Sequence, residues 1–372
     1  MPAGRLPCCA LIATTLLAGC ALPGRLAEPQ GLGPTEAREA VLRVLPATLD
    51  DRAGWAADVH AALATQAIPS TPENLCAVLA VAEQESGYRA DPAVPNLGRI
   101  ARQEIDKRAD AAGVPAFALR AALAIGSPDG RSYAERIEQA KTERQLSEAY
   151  EDFIGLVPFG RTLFASRNPV RTGGPMQVSI TFAEAHAKEH AYPYALQESV
   201  RHEVFTRRGG LYFGAAHLLG YAAPYERMLY RFADFNAGRW ASRNAGFQNA
   251  LSVASGLALA LDGDLLPRDG SERGETERAA LTLAERLGLG ESAIRHDLER
   301  GDGPGFEQTA LYERVFAWAE QLDRRALPRA VLPRIDLKSP KITRRFTTEG
   351  FAQRVDERHR RCLARLGAPG AG

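Results

Sequence analysis

From Thr35 to Arg325 the apolar residues of this chain recur at intervals of three and four, in segments such as "TEAREAVLRVL", "RAGWAADVHAALATQ" and "TPENLCAVLAVAEQES". That spacing gathers apolar side chains on one side of an α-helix but scatters them over both faces of a strand. The pattern continues through "GRIARQEIDKRADAA", "PAFALRAALAI", "YAERIEQAKTERQLSEAYEDFI", "FAEAHAKEH", "GGLYFGAAHLLGY", "ERAALTLAERLG", "ESAIRHDLER" and "QTALYERVFAWAEQLDRR". Period-two alternation is nearly absent, so the sequence predicts an all-α fold with few or no strands. A chain of 372 residues is long enough for one large or two medium cores.

The balance of 46 basic against 45 acidic side chains creates no overall field that would draw nucleic acid. Targeting information is local. Arg5, the apolar "LPCCALIATTLL" and the small-residue "LAGC" form a secretory signal, residues 1–19, that ends in a bacterial lipobox. The lipobox implies a diacylglycerated Cys20 as the mature N-terminus, and two or three acyl chains anchor a protein stably. Ala21 is not the Asp that retains lipoproteins at the inner membrane, so an outer-membrane lipoprotein is expected, on either face. No later apolar run approaches the ~20 residues of a spanning helix. Residues 20–34, rich in Gly and Pro, read as a lipidated tether. With Cys8 and Cys9 removed and Cys20 acylated, Cys76 and Cys362 remain. An oxidising periplasm would let them pair, and a buried helical Cys76 with a separate exposed Cys362 fits the sequence equally well.

The segment "TPENLCAVLAVAEQESG" carries its own boundaries: Ser70 or Thr71 to cap it, Pro72 for the first turn, and Gly87 for the left-handed residue past its end. Leu75, Val78, Leu79 and Ala82 share one face. Glu85, seven positions after Val78, lies at the edge of that apolar stripe, with Glu83 on the opposite edge and Gln84 pointing away. Glu85 is therefore the carboxylate expected to enter the interior, where desolvation raises a carboxyl pKa toward the value a general acid needs near neutral pH.

Two later stretches follow in order: "GGPMQVS" at 173–179 and "FADFNAGRW" at 232–240. Together with "ESGY" they resemble the three-motif signature of the soluble lytic transglycosylase and goose-type lysozyme superfamily, E-S, G-L-M-Q and A-Y-N-A-G. The resemblance implies a lysozyme-like helical domain that cleaves the β-1,4 bond between N-acetylmuramic acid and N-acetylglucosamine in peptidoglycan, leaving a 1,6-anhydro product. It implies Glu85 as acid and base, Ser86 as its hydrogen-bonding neighbour, Met176 and Gln177 in the loop under the glycan, and Asn236, Ala237 and Gly238 in the turn beside the glutamate. Trp240 is a candidate groove-lining ring. No cofactor or metal is called for. Two positions depart from the pattern. Pro175 replaces a Leu, and Phe235 stands where the family has a tyrosine that meets the glutamate, a role that Tyr212, Tyr221 or Tyr230 would have to take over. Glu85 and Gly174 are also 89 positions apart, which implies a helical insertion over about 97–170. A narrower resemblance, running from the lipobox through "LDGDLL" to "SPKITRRFTTEGFAQRVDERHRRCL", is to the YaiW-type family of uncharacterised proteobacterial outer-membrane lipoproteins.

Other clusters carry less. His186 and His190, with Glu184 and Glu189, give two ligands at helical spacing but no H-E-x-x-H, so a polar helix is expected. Asp262, Asp264 and Asp269 do not fit a calcium loop and predict a turn. From Arg324 to Arg365, 13 Lys and Arg face four Asp and Glu, which suits a clasp, an anionic surface or, best, a solvated face.

The expected organisation is a lysozyme-like domain over 35–265, a C-terminal helical extension with a basic tail over 266–365, and a disordered end at 366–372. Three functions fit: cleavage of glycan strands, a catalytically silent glycan-binding or envelope-organising lipoprotein, or a surface-exposed lipoprotein that contacts external ligands.

Overall fold

A computed structural model describes residues 31–267, 273–337 and 346–367. The signal segment, Cys20, the tether as far as residue 30, Asp269 and the last five residues lie outside them.

The described residues are mostly helical, as expected. The first part holds α1 (Pro34–Val44), α2 (Arg52–Ala64) and α3 (Pro72–Ser86). The stretch expected as an insertion, about 97–170, holds α4 (Leu97–Ala111), α5 (Ala116–Leu123), α6 (Tyr133–Gln139), α7 (Glu143–Gly155) and α8 (Gly160–Phe164). A two-stranded antiparallel hairpin, β1 (Thr172–Gly173) and β2 (Val178–Ser179), follows it. Then come α9 (Ile180–Glu189), α10 (Val200–Val204), α11 (Arg207–Leu219) and α12 (Met228–Ala237). The remainder is α13 (Ala241–Ser255), α14 (Glu275–Thr282), α15 (Ala284–Leu287), α16 (Glu291–Glu299), α17 (Ala310–Asp323) and α18 (Thr348–Leu366).

The continuous helix expected over 133–154 is broken into α6 and α7. Thr142 caps α7, its hydroxyl accepting from the Gln145 amide (3.3 Å), while the Gln145 side chain accepts from the Lys141 amide (2.8 Å). A T-x-x-Q capping box competes with helix continuation by satisfying amides that a through-running helix would have used.

The buried side chains form two cores. One gathers α1, α2, α3, the inner faces of the insertion, α9, α11, α12 and α18; the other gathers α13 to α17. The chain thus leaves the first core after α12, not near residue 265, and returns to it with α18. Gly238 (φ 120°) and Trp240 (φ 63°) make the turn that lets α13 face the second core, where Phe247 packs against Phe306 (5.0 Å) and Tyr312 (5.8 Å). Arg243 is fully buried there, donating to the carbonyls of Gly301 and Gly303 and pairing with Glu307 at 3.2 Å. A buried guanidinium is tolerated because every side of it is answered. The turn expected at 261–264 is also present, with Gln248 donating to Asp262 at 2.8 Å and accepting from the Gly263 amide at 2.8 Å.

The last helix is a clasp more than a solvated face. Cys362 of α18 forms a disulfide with Cys76 of α3, 286 positions away. His359 bonds the Glu73 carbonyl (3.0 Å), Arg365 the Val44 carbonyl (3.1 Å), and Arg358 and Arg361 each approach Glu83 at 3.5 Å.

Candidate active site

The ends of α3 fall where its sequence places them. Thr71 caps the helix through the Asn74 amide (3.2 Å), Pro72 opens it, and Gly87 ends it at φ 58°. Glu85 lies in the last turn, partly exposed, and no hydrogen bond reaches its carboxyl among the described residues. Burial, reinforced by the nearby Glu143 carboxylate, raises its pKa from 4.5 to about 7. Glu83, two residues before, has the opposite fate and is held by the arginines of α18. Ser86 turns its hydroxyl to its own helix, donating to the Ala82 carbonyl (2.9 Å) and accepting from the Arg89 amide (3.1 Å).

Glu143 reaches this place through backbone pairing. The strand-like bridge of Ala93 to Thr142 and the bond from the Val94 amide to the Lys141 carbonyl (2.8 Å) pin the loop after α3 against the start of α7. Glu143 is the first residue of α7 and is buried. Asp91, in the same loop, is half-buried; desolvation raises its pKa while a bond from Thr142 opposes the rise. The site therefore holds Glu85, Glu143 and Asp91, of which only Glu85 is legible in the sequence. Glu143 stands in a distant helical segment, and the one local signal for it is the capping box that starts α7.

The "GGPMQVS" stretch is the hairpin. Gly174 (φ +74°) packs so tightly that a Cβ there would collide with the Val204 carbonyl oxygen, and a Cβ on Gly214 of α11 would meet Met176. Met176 is accordingly fully buried, a packing residue under α11 and not a surface for glycan. Gln177 sits at φ 51° and is partly exposed, its side-chain oxygen accepting from the Thr172 hydroxyl at 3.1 Å. Gly174→Ala should destabilise the fold by about 1–3 kcal/mol; an unchanged thermal midpoint would mean that the hairpin does not hold this conformation.

A cavity of about 780 Å³ lies beside the site, and neither Glu85 nor Gln177 is among its lining residues. Glu143, the neighbour of Glu85, and Thr172, the partner of Gln177, both line it, whereas Asn236, Ala237, Gly238 and Trp240 do not. Asn236 accepts a bond from the Thr348 hydroxyl of α18 (2.8 Å). Ala237 closes α12, and Gly238 takes the positive-φ conformation that follows it. Trp240 corrects the expectation of a groove-lining ring. It is 8% exposed, its indole N–H donates to the Ala222 carbonyl (2.9 Å), and Tyr221 and Arg243 cover its faces. The turn is organised instead by buried Asp234, which accepts from the Tyr221 hydroxyl (2.8 Å) and the amides of Trp240 (3.0 Å) and Ser242 (2.7 Å).

None of the three tyrosines substitutes for the hydroxyl absent at Phe235. Tyr212 donates to the Ala191 carbonyl (3.3 Å), Tyr221 is held by Asp234, and the Tyr230 ring packs on Tyr225 at 5.3 Å. Phe235 itself rests against His217, ring to ring at 5.1 Å. Burial, aided by the Arg239 charge, lowers the His217 pKa to about 4, so the imidazole is neutral at pH 7. His186 and His190 stack at 4.3 Å, and no group of three His, Cys, Asp or Glu suited to a metal occurs among the described residues.

Residues 48–365 match the family model described as "Protein of unknown function (DUF1615)". The chain belongs to this family. It is 53% identical over 353 residues to "Uncharacterized protein YaiW" of Escherichia coli (strain K12), a match that spans 95% of this chain and 96% of that protein. No solved structure matches the chain. The family match runs from just before α2 to the last turn of α18, so it takes in the second core and all of the first except α1. Neither description names an activity, which leaves function to be argued from the chemistry at Glu85.

No helix among the described residues is long and apolar enough to cross a membrane.

Proposed function

We propose that this chain is a lytic transglycosylase-like protein that cleaves peptidoglycan glycan strands, anchored to the outer membrane by lipid on Cys20. The observation that carries the reading is the state of Glu85: a helix-end carboxyl, free of hydrogen bonds among the described residues, with a pKa of about 7. Such a group is substantially protonated at neutral pH and still basic once it has given its proton away. Glu85 would donate to the glycosidic oxygen as the bond from C1 of N-acetylmuramic acid breaks. The carboxylate so formed would take the proton of the O6 hydroxyl as O6 closes on C1. The 1,6-anhydro ring then forms without water, and Glu85 ends protonated as it began. The substrate's N-acetyl group would stabilise the oxocarbenium-like centre that a second carboxylate serves in ordinary glycosidases.

Glu143 has a supporting part in this reading, as the charge that helps keep the Glu85 proton in place. Glu143→Gln should lower the Glu85 pKa from about 7, though not to 4.5, because burial is the larger cause. The alkaline limb of the pH profile should move to lower pH, as should the Glu85 carboxyl resonance followed by NMR. An unmoved resonance would separate the two carboxylates.

A second reading, a silent glycan-binding or envelope-organising lipoprotein, is favoured by Phe235, because no tyrosine hydroxyl orients Glu85. Digestion of sacculi divides the two. Release of 1,6-anhydromuramyl ends, detected by mass spectrometry, supports the enzyme; sacculus pull-down without release supports the binder.

A further inference from the structure

The lining of the 780 Å³ cavity has the wrong chemistry for a sugar. Apolar side chains form most of its wall, among them Ile100, Ile105, Leu119, Leu123, Leu146 and Phe153 of α4, α5 and α7. Sugar sites need convergent hydrogen-bonding groups, whereas an apolar cavity in the ordinary 300–1,000 Å³ range of about one small ligand takes a hydrocarbon. The polar lining is Glu104, Arg108, Glu143, Tyr150, Arg167, Arg171 and Thr172. Arg108 is paired with Glu104 at 2.7 Å, but Arg167 and Arg171, both exposed, make no ion pair with a carboxylate among the described residues. Among the described residues Arg171 donates to the Ser166 carbonyl, at 2.7 Å, and Arg167 lies over the Phe164 ring at 5.8 Å. Two unpaired guanidiniums beside an apolar hollow complement a molecule with a hydrocarbon body and an anionic head.

The surface of the same insertion agrees. Of the ten large apolar residues that the described chain exposes, seven lie between Val114 and Leu163, including Phe117 at 69%, Leu163 at 61% and Phe159 at 81%. Exposed apolar side chains concentrated in one region mark contact with an apolar partner, while scattered ones do not.

We propose that the insertion binds one acyl chain of an anionic amphiphile, the hydrocarbon in the cavity and the head on Arg167 and Arg171. The site is separate from glycan cleavage: the acyl chain needs neither Glu85 nor Gln177, so failure of one reading leaves the other standing. Glu143 is the point at which they adjoin.

The test uses the chain from residue 21 onward, which retains every described residue and carries no lipid of its own. Titration with cis-parinaric acid, a fluorescent fatty acid, should show saturable binding of one molecule per chain, displaced by palmitate. Ala109→Trp, which fills the cavity from its partly exposed rim, should weaken binding at least tenfold, with helicity and thermal midpoint retained. Ala101→Phe serves the same purpose from deeper in α4 should the first variant misfold. Arg167→Gln with Arg171→Gln should weaken palmitate about fivefold or more and leave hexadecanol unchanged. Vesicles of phosphatidylethanolamine and phosphatidylglycerol separate the sources. Extraction of labelled phospholipid that Ala109→Trp abolishes assigns a membrane lipid, and binding of the free acid without extraction assigns a fatty acid. Probe binding that does not saturate, or that both cavity variants leave intact, overturns the proposal.

Discussion

Glu85→Gln is expected to cut release of 1,6-anhydromuramyl ends by about 10²- to 10⁴-fold, the loss typical of removing a general acid, while making the protein more stable at alkaline pH. The two effects have one origin. The folded chain holds the Glu85 proton with a pKa of about 7 against the usual 4.5. Between those values the folded state binds more protons than the unfolded one, so stability declines as pH rises. The contribution of the protonated carboxyl is complete below about pH 4.5 and gone above about pH 7. A shift of that size corresponds to about 3 kcal/mol. A glutamine side chain in this position keeps the shape and hydrogen-bonding capacity of the protonated acid without the charge. Urea unfolding at pH 4 should therefore find the two proteins alike, and at pH 8 the variant should be the more stable by up to about 3 kcal/mol. Parallel pH dependence in the two would show that Glu85 is not desolvated, and equal release of anhydro ends by both would remove Glu85 from the chemistry.

Cys362→Ser should lower stability by about 2–5 kcal/mol. The bond it removes joins positions 286 apart, and long loops are those whose closure most restricts the unfolded chain. Since α18 lies against both α3 and α12, the substitution also loosens the element that holds Glu83 and receives Asn236. Activity should fall with stability near the new midpoint and recover on cooling, whereas Glu85→Gln stays inactive at every temperature. Denaturant midpoints with and without reductant provide the control: wild type should shift on reduction and the variant should not. A wild type indifferent to reductant would deny the crosslink its role.

Much of α3 is legible in the sequence. Thr71, Pro72 and Gly87 mark its ends, and helical spacing separates Glu85 from Glu83. These depend on contacts within four or five residues, which the chain cannot avoid making once it coils. The hairpin at 172–179 is legible as a motif but not as a structure, since its conformation comes from Gly174 against the Val204 carbonyl and Met176 beneath Gly214. Trp240 escapes a sequence reading for a related reason. An aromatic ring beside a motif says nothing about which neighbours cover its faces, and here Tyr221 and Arg243 do.

The all-helical class, the limits of the helix that carries Glu85 and the choice of which carboxylate turns inward are all written in the order of the residues. Packing decides the rest: that Glu143 stands close enough to raise the Glu85 pKa, that α13 belongs to a second core, and that α18 returns to clasp the first. Helix period and capping follow from short-range sterics and backbone hydrogen bonds, so neighbouring residues specify them. Desolvation and charge proximity depend on what lies across the fold, and segments as far apart as 76 and 362 acquire those neighbours only when the chain has packed.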